Sequence, residues 1–163
     1  MPIPVVTLIG RSDSGKTTLM EKLIPALRQR GYRVGTVKHH SHVGFEIDQP
    51  GKDSWRHAQS GSQHVVIAAP DKIASYRFTE KEATLDEILD EFRDVDIVLV
   101  EGYKRAGKPS IEIVRAERGL EMIGSEEQRI AVASDTPIQT SAPLFDLDDV
   151  EGIVNLIETT FLR

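Results

Sequence analysis

Gly10-Arg-Ser-Asp-Ser-Gly-Lys-Thr17 matches the pattern G-x-x-x-x-G-K-[ST] at every fixed position, and each fixed position has a task on a nucleoside triphosphate. Gly10 and Gly15 let the backbone curl so that successive N–H groups point inward at phosphate oxygens. Lys16 brings a full positive charge to the β- and γ-phosphates, and the Thr17 hydroxyl is the usual inner-sphere ligand for Mg²⁺. A short pattern of this kind also recurs by chance, so the flanking sequence has to decide.

Both flanks fit. Upstream, Ile3-Pro-Val-Val-Thr-Leu-Ile9 is short, β-branched and almost wholly apolar, as expected of a strand buried on both faces of a parallel sheet. Downstream, Leu19, Met20, Leu23, Ile24 and Leu27 fall at helical spacing, and Gly31 supplies a stop. Pro25 interrupts that helix by one hydrogen bond. The order strand, loop, helix aims a helix N-terminus and its partial positive charge at the phosphates.

The 163 residues suit one nucleotide-binding domain, 1–163, able to bury a core without staples. Apolar content of 39% and charged content of 28% argue against wholesale disorder. With no cysteine, disulfides and thiol chemistry are excluded, which fits a reducing cytoplasm. The start of the chain lacks the pattern of a secretory signal. No apolar run approaches the roughly 18 residues of a membrane-spanning helix, so no membrane role is expected. A net charge of −6 disfavours a nucleic-acid partner.

Strands and helices alternate along the rest of the chain. Tyr32–Lys38 reads as a second strand, and residues 39–52 as a long polar loop with three histidines, a candidate functional segment. Lys52–Ser60 suits a helix stopped by Gly61, and residues 63–69 and 72–78 flank Pro70-Asp71 as a hairpin. Thr84 can cap a helix carrying Leu85, Ile88, Leu89 and Phe92. Further strands are expected at 96–100, 110–115 and 129–134, and a last helix opens at Asp148-Asp149 and carries Val150, Ile153, Val154, Ile157 and Phe161. The whole implies an α/β, three-layer P-loop NTPase fold: a mainly parallel central sheet flanked by helices, with an antiparallel hairpin.

A phosphate loop needs acids for its metal and a sensor for the γ-phosphate. Glu101 follows the run Ile97-Val-Leu-Val100, where an acid at a strand's carboxyl end would face Mg²⁺ or its water shell. Asp48-Gln-Pro-Gly51 has the D-x-x-G form of a GTPase switch loop, in which the acid holds Mg²⁺ through water and the glycine N–H meets the γ-phosphate. Lys38 and Lys104 sit at strand ends and are candidates to meet an anion. Trp55, on an amphipathic helix, reads as packing. Asp135, after Ile130-Ala-Val-Ala-Ser134, stands where a guanine-reading aspartate would, although a capping or turn role accounts for it equally. His39, His40 and His42 read as a solvated or phosphate-facing loop, with a metal site as the alternative.

Four blocks carry a family resemblance: Gly10–Thr18; Val34-Gly-Thr-Val-Lys-His-His40; Phe45-Glu-Ile-Asp-Gln-Pro-Gly-Lys-Asp-Ser54; and Val100-Glu-Gly-Tyr-Lys104 with Pro109-Ser-Ile-Glu112. In this order and spacing the chain resembles the MobB family of molybdopterin-guanine dinucleotide biosynthesis adaptors, through about residue 115. The resemblance implies a homodimeric, SIMIBI-class P-loop protein that binds GTP with Mg²⁺, hydrolyses it weakly, and assists a MobA-type nucleotidyltransferase. By that likeness Gly10, Arg11, Ser12, Asp13, Ser14, Gly15, Lys16, Thr17 and Thr18 hold the phosphates, with Gly51 beside them. Thr17, Asp48 and Glu101 face the metal, and Lys16 and Asp48 carry what catalysis there is. The extra lysine that marks the nitrogenase-iron-protein branch of the class is missing. By the same likeness molybdopterin itself is a candidate ligand.

Slow turnover also follows from the residues. Gln49 is the one glutamine beside a candidate acid, and Arg11 and Arg56 are candidates only for charge stabilisation; an arginine finger contributes about 10³- to 10⁵-fold. Two other readings remain: a small-molecule kinase, which would need an arginine-rich lid, and a metallochaperone-type GTPase using His39, His40 and His42.

Overall fold

In the computed structural model, which describes residues 2–163, the elements in chain order are β1 (Val5–Gly10), α1 (Lys16–Gln29), β2 (Val34–Lys38), α2 (Asp53–Gln59), β3 (His64–Ala69), β4 (Lys72–Arg77), α3 (Leu85–Leu89), β5 (Ile97–Glu101), β6 (Ser110–Val114), β7 (Arg129–Ser134), β8 (Leu144–Asp146) and α4 (Val150–Ile157). The chain divides into two compact units, one built from the residues up to His39 with Leu85–Arg163, the other from His40–Thr84. Among the described residues no helix is long and apolar enough to cross a membrane.

The first unit holds a six-stranded sheet in the order β2-β5-β1-β6-β7-β8, every pair parallel. Parallel strands covered on both faces should be apolar throughout, and β5 is buried at all five positions. Alternation sorts these residues by face. Val6, Leu8, Ile97 and Leu99 pack with Leu19, Leu23 and Leu27 of α1 and with Ile153, Val154 and Ile157 of α4. Val5, Val98 and Val100 pack with Leu85 of α3 and with Phe92. Fully burying one such side chain contributes about 1.5–3 kcal/mol. The expected layers, parallel sheet and hairpin are all present.

Three details differ from the sequence expectation. The short β8, beside β7, was not anticipated. Helix α3 is five residues long and stops before Phe92, whose N–H bonds Leu89 O in a tighter turn. Helix α4 starts where expected, with Asp149 Oδ1 accepting from Gly152 N at 2.9 Å as its cap. It widens into a π turn over Glu158–Leu162. There the Thr159 and Thr160 hydroxyls bond back to Asn155 O and Leu156 O, a competition that loosens helical geometry.

The second unit pairs β3 and β4 antiparallel from His64↔Arg77 to Ala69↔Lys72 around Pro70-Asp71. Within it, the Tyr76 hydroxyl donates to Asp48 Oδ2 at 2.7 Å.

An acid-sensitive clasp joins β2 to β5. Arg33 donates to Asp96 from its backbone N–H at 2.7 Å and from Nε and a terminal nitrogen at 3.2 and 2.9 Å. These bonds, the guanidinium's first, pull the Asp96 carboxyl from 3.8 down to about 2. A carboxyl depressed in the folded state adds stability above its unfolded pKa and loses it as pH falls through the folded one. Wild type should therefore shed this contribution between about pH 4 and pH 2, and Asp96→Asn should not. Urea midpoints of the two proteins at pH 7, 4, 3 and 2 check it; parallel midpoints would count against the clasp.

Candidate functional site

Registers of the central strands set the site. Leu8 and Lys38 both pair with Glu101, and Gly10 pairs with Ile113, so the carboxyl ends of β1, β2, β5 and β6 share one edge. Ligands of open α/β sheets bind at such an edge. Past β1 the chain must turn sharply into α1. Asp13 (φ 57°) and Gly15 (φ 102°) take left-handed conformations there, and Gly15 caps the helix. Gly10 has a steric reason to be glycine, since a Cβ would lie 2.6 Å from Ile113 O and 2.7 Å from Ser14 Oγ. The first-turn N–H groups of α1 have no carbonyl four residues back within the helix.

Ser12, Asp13, Gly15, Lys16, Thr17 and Thr18 line a polar cavity of about 530 Å³ with Glu101, Lys38 and Arg115. Lys16 Nζ donates to Gly10 O at 3.0 Å and Arg11 O at 2.8 Å, across the mouth of the loop. Burial lowers its pKa, against Glu101 and Asp13, which raise it. Glu101 is buried. Thr17 Oγ1 lies 3.0 Å from both of its carboxylate oxygens, and Lys38 ion-pairs with Oε1. A hydroxyl and a carboxylate beside the N-terminus of α1 form a hard oxygen donor set next to a place favourable to anions, which suits Mg²⁺ with phosphates.

The remaining predicted residues are not among those lining this cavity. Arg11 lines no part of the cavity and pairs with Glu121 at 2.5 Å. The buried Ser14 hydroxyl has no hydrogen-bond partner among the described residues. Asp135 Oδ1 accepts from Ala116 N at 2.8 Å, tying the end of β7 to the chain after β6. Asp48 and Gly51 belong to the second unit, where the Tyr76 hydroxyl, above all, holds the Asp48 carboxyl below its usual range. His39 stacks on Tyr103 with ring centroids 4.3 Å apart, and His40 meets Phe45 edge-on. Among the described residues no three acids or histidines form a metal cluster. Arg115 is the cavity residue that sequence reasoning missed; its position just past a buried strand is the signal that could have found it.

Residues 5–135 match the family described as MobB, Molybdopterin guanine dinucleotide synthesis protein B. The chain is 39% identical over 158 residues to a molybdopterin-guanine dinucleotide biosynthesis adapter protein of Haemophilus influenzae, covering 96% of this chain and 88% of the relative. It is 37% identical over 161 residues to the protein of that description in Escherichia coli, covering 95% and 91%. A crystal structure of molybdopterin-guanine biosynthesis protein B superposes with a TM-score of 0.73 at 33% identity, over 95% of this chain and 98% of that one.

Proposed function

The chain belongs to the MobB family of molybdopterin guanine dinucleotide synthesis proteins, a nucleotide-binding adaptor of that biosynthesis, and from this membership we propose that its nucleotide is GTP bound with Mg²⁺. In this reading it works as a homodimer in the cytoplasm beside a MobA-type nucleotidyltransferase and turns GTP over weakly.

One observation carries the proposal: Thr17 and Lys38 converge on the buried Glu101 at the mouth of the phosphate loop. When bound, Mg²⁺ neutralises phosphate charge. The chain's own part is to hold. Lys16 supplies charge in a partly desolvated place, where it acts more strongly than in water. Glu101 orients the Thr17 hydroxyl and is itself engaged by Lys38, so with both oxygens occupied it is poorly placed to orient an attacking water. That arrangement favours retention over fast hydrolysis. In the same reading the D-x-x-G form gives Asp48 to the metal and Gly51 to the γ-phosphate, and Asp135, after a late strand, is the candidate to read guanine.

Calorimetric titration with GTP and ATP, each with and without Mg²⁺, tests the proposal. GTP should bind at least about tenfold tighter than ATP, the worth of one discriminating hydrogen bond, and Mg²⁺ should strengthen it. Equal affinities would remove guanine from the proposal. Loss of the Mg²⁺ effect in Thr17→Ala would support the metal assignment.

A further inference from the structure

Besides Lys16, Arg115 stands apart from the other cations around the loop. Lys38 is paired with Glu101, Arg11 with Glu121 and Lys22 with Asp148 at 2.5 Å. Arg115 donates instead from Nε to a backbone carbonyl, Ser14 O, at 3.3 Å. A terminal nitrogen of its guanidinium would lie 3.1 Å from a Cβ on Gly15, so the group rests against the turn of the loop and lines the cavity. The acid that feels it at longer range, Asp148, is already held by Lys22. A guanidinium has five N–H donors in a fixed fork that matches phosphate oxygens, and most of this one's are unspent.

Its side of the loop is also informative. Thr17, Glu101 and Lys38 meet toward β5 and β2, whereas Arg115 follows β6, across β1 from them. Thr17 and Glu101, whose oxygens would hold a metal, lie on the β5 side. A cation on the β6 side would then be left for the phosphates that a diphosphate shares with a triphosphate.

Resting on the proposed nucleotide binding, we infer that Arg115 is a second phosphate-binding cation of this site, acting on the diphosphate portion common to GDP and GTP rather than as a finger on the γ-phosphate. More negative charge enters with a diphosphate than Lys16 alone can offset, and Lys38 is committed to Glu101. The Arg115–Ser14 bond sets the guanidinium in place before the ligand arrives, so little rotamer entropy remains to be lost on binding.

Titration calorimetry of the full chain with GDP and with GTP, in Mg²⁺, at several salt concentrations, tests the inference on wild type, Arg115→Gln and Arg115→Lys. Glutamine keeps an N–H for the Ser14 carbonyl but removes the charge. Arg115→Gln should weaken both nucleotides by the same factor, about tenfold for one charge-assisted contact. It should also flatten the salt dependence of binding while leaving the melting temperature in place, and lysine should restore part of the affinity. Unchanged affinity in Arg115→Gln, or a loss confined to GTP, would overturn the inference. So would a lowered melting temperature with the wild-type salt dependence, which marks a structural prop. A wild type that binds neither nucleotide would instead bring down the proposed function, and the inference with it.

Discussion

Lys16→Ala is expected to remove nucleotide binding, weakening it by roughly a hundredfold or more, while the protein stays folded. The size follows from what one side chain does. Its ammonium spans the loop by bonding Gly10 O and Arg11 O, so it is held in place before a ligand arrives. Hydrogen bonds to charged groups are each worth about 1.5–3 kcal/mol, and a phosphate would accept more than one contact from this group. Burial pulls the Lys16 pKa down, the mark of a partly desolvated ammonium, whose charge is screened less than in bulk water. Little of the fold depends on it, since its partners are loop carbonyls at the surface and the core cluster does not include it. Arginine should not substitute, because a planar fork cannot replace a compact point charge at this short reach. Titration with a GTP probe gives the affinity, and the urea midpoint reports the fold. Binding within about threefold of wild type, a difference below 1 kcal/mol, would strip the loop of its assigned role.

What could be read from the sequence was local, or pinned to a strand end. The β1–loop–α1 unit is contiguous, so burial pattern, motif and helical spacing reinforce one another within residues 3–31. The Pro70-Asp71 hairpin was legible for the same reason. Glu101 was found because an acid directly after four buried apolar residues has one natural place, the carboxyl edge of the sheet. Lys38 was flagged as a strand-end cation, although its pairing with Glu101 was out of reach. Arg115 escaped because its place beside Ser14 and Gly15 depends on β6 lying against β1. That neighbour is chosen by the crossover path and not by any periodicity. The three residues of β8 are too few to show a period of two. Asp135 does end a strand at this edge, yet its carboxylate caps a backbone N–H of the chain after β6, and sequence reasoning had no means of weighing those two roles.

Glu112 shows how a pattern can mislead. Ser110-Ile-Glu-Ile-Val114 alternates as a half-exposed strand would, but all five residues are buried. The Glu112 carboxylate accepts from Arg129 Nε at 2.9 Å, from Ile123 N, and from Gly124 N at 3.2 Å. Arg129 in turn donates to Gly124 O at 2.9 Å. The pair thereby fixes the segment before β7 over the sheet, with Gly124 so close that a Cβ would lie 2.3 Å from Ile9 Cδ1. The Glu112 and Arg129 side chains are 1% and 7% exposed, so removing one leaves its partner charged and dry. Glu112→Ala should therefore cost about 3–5 kcal/mol, and Arg129→Ala a similar amount. A buried pair that is fully satisfied need not be a net stabiliser, because desolvation offsets much of the attraction. The double variant Glu112→Met with Arg129→Met should accordingly be more stable than either alanine variant. Urea unfolding of the three variants at pH 7 reads both effects. Singles that lose less than about 1 kcal/mol would mean that water or a neighbouring side chain takes over the orphaned charge. A double variant no more stable than the alanine variants would count against desolvation of the pair as the term that offsets its attraction.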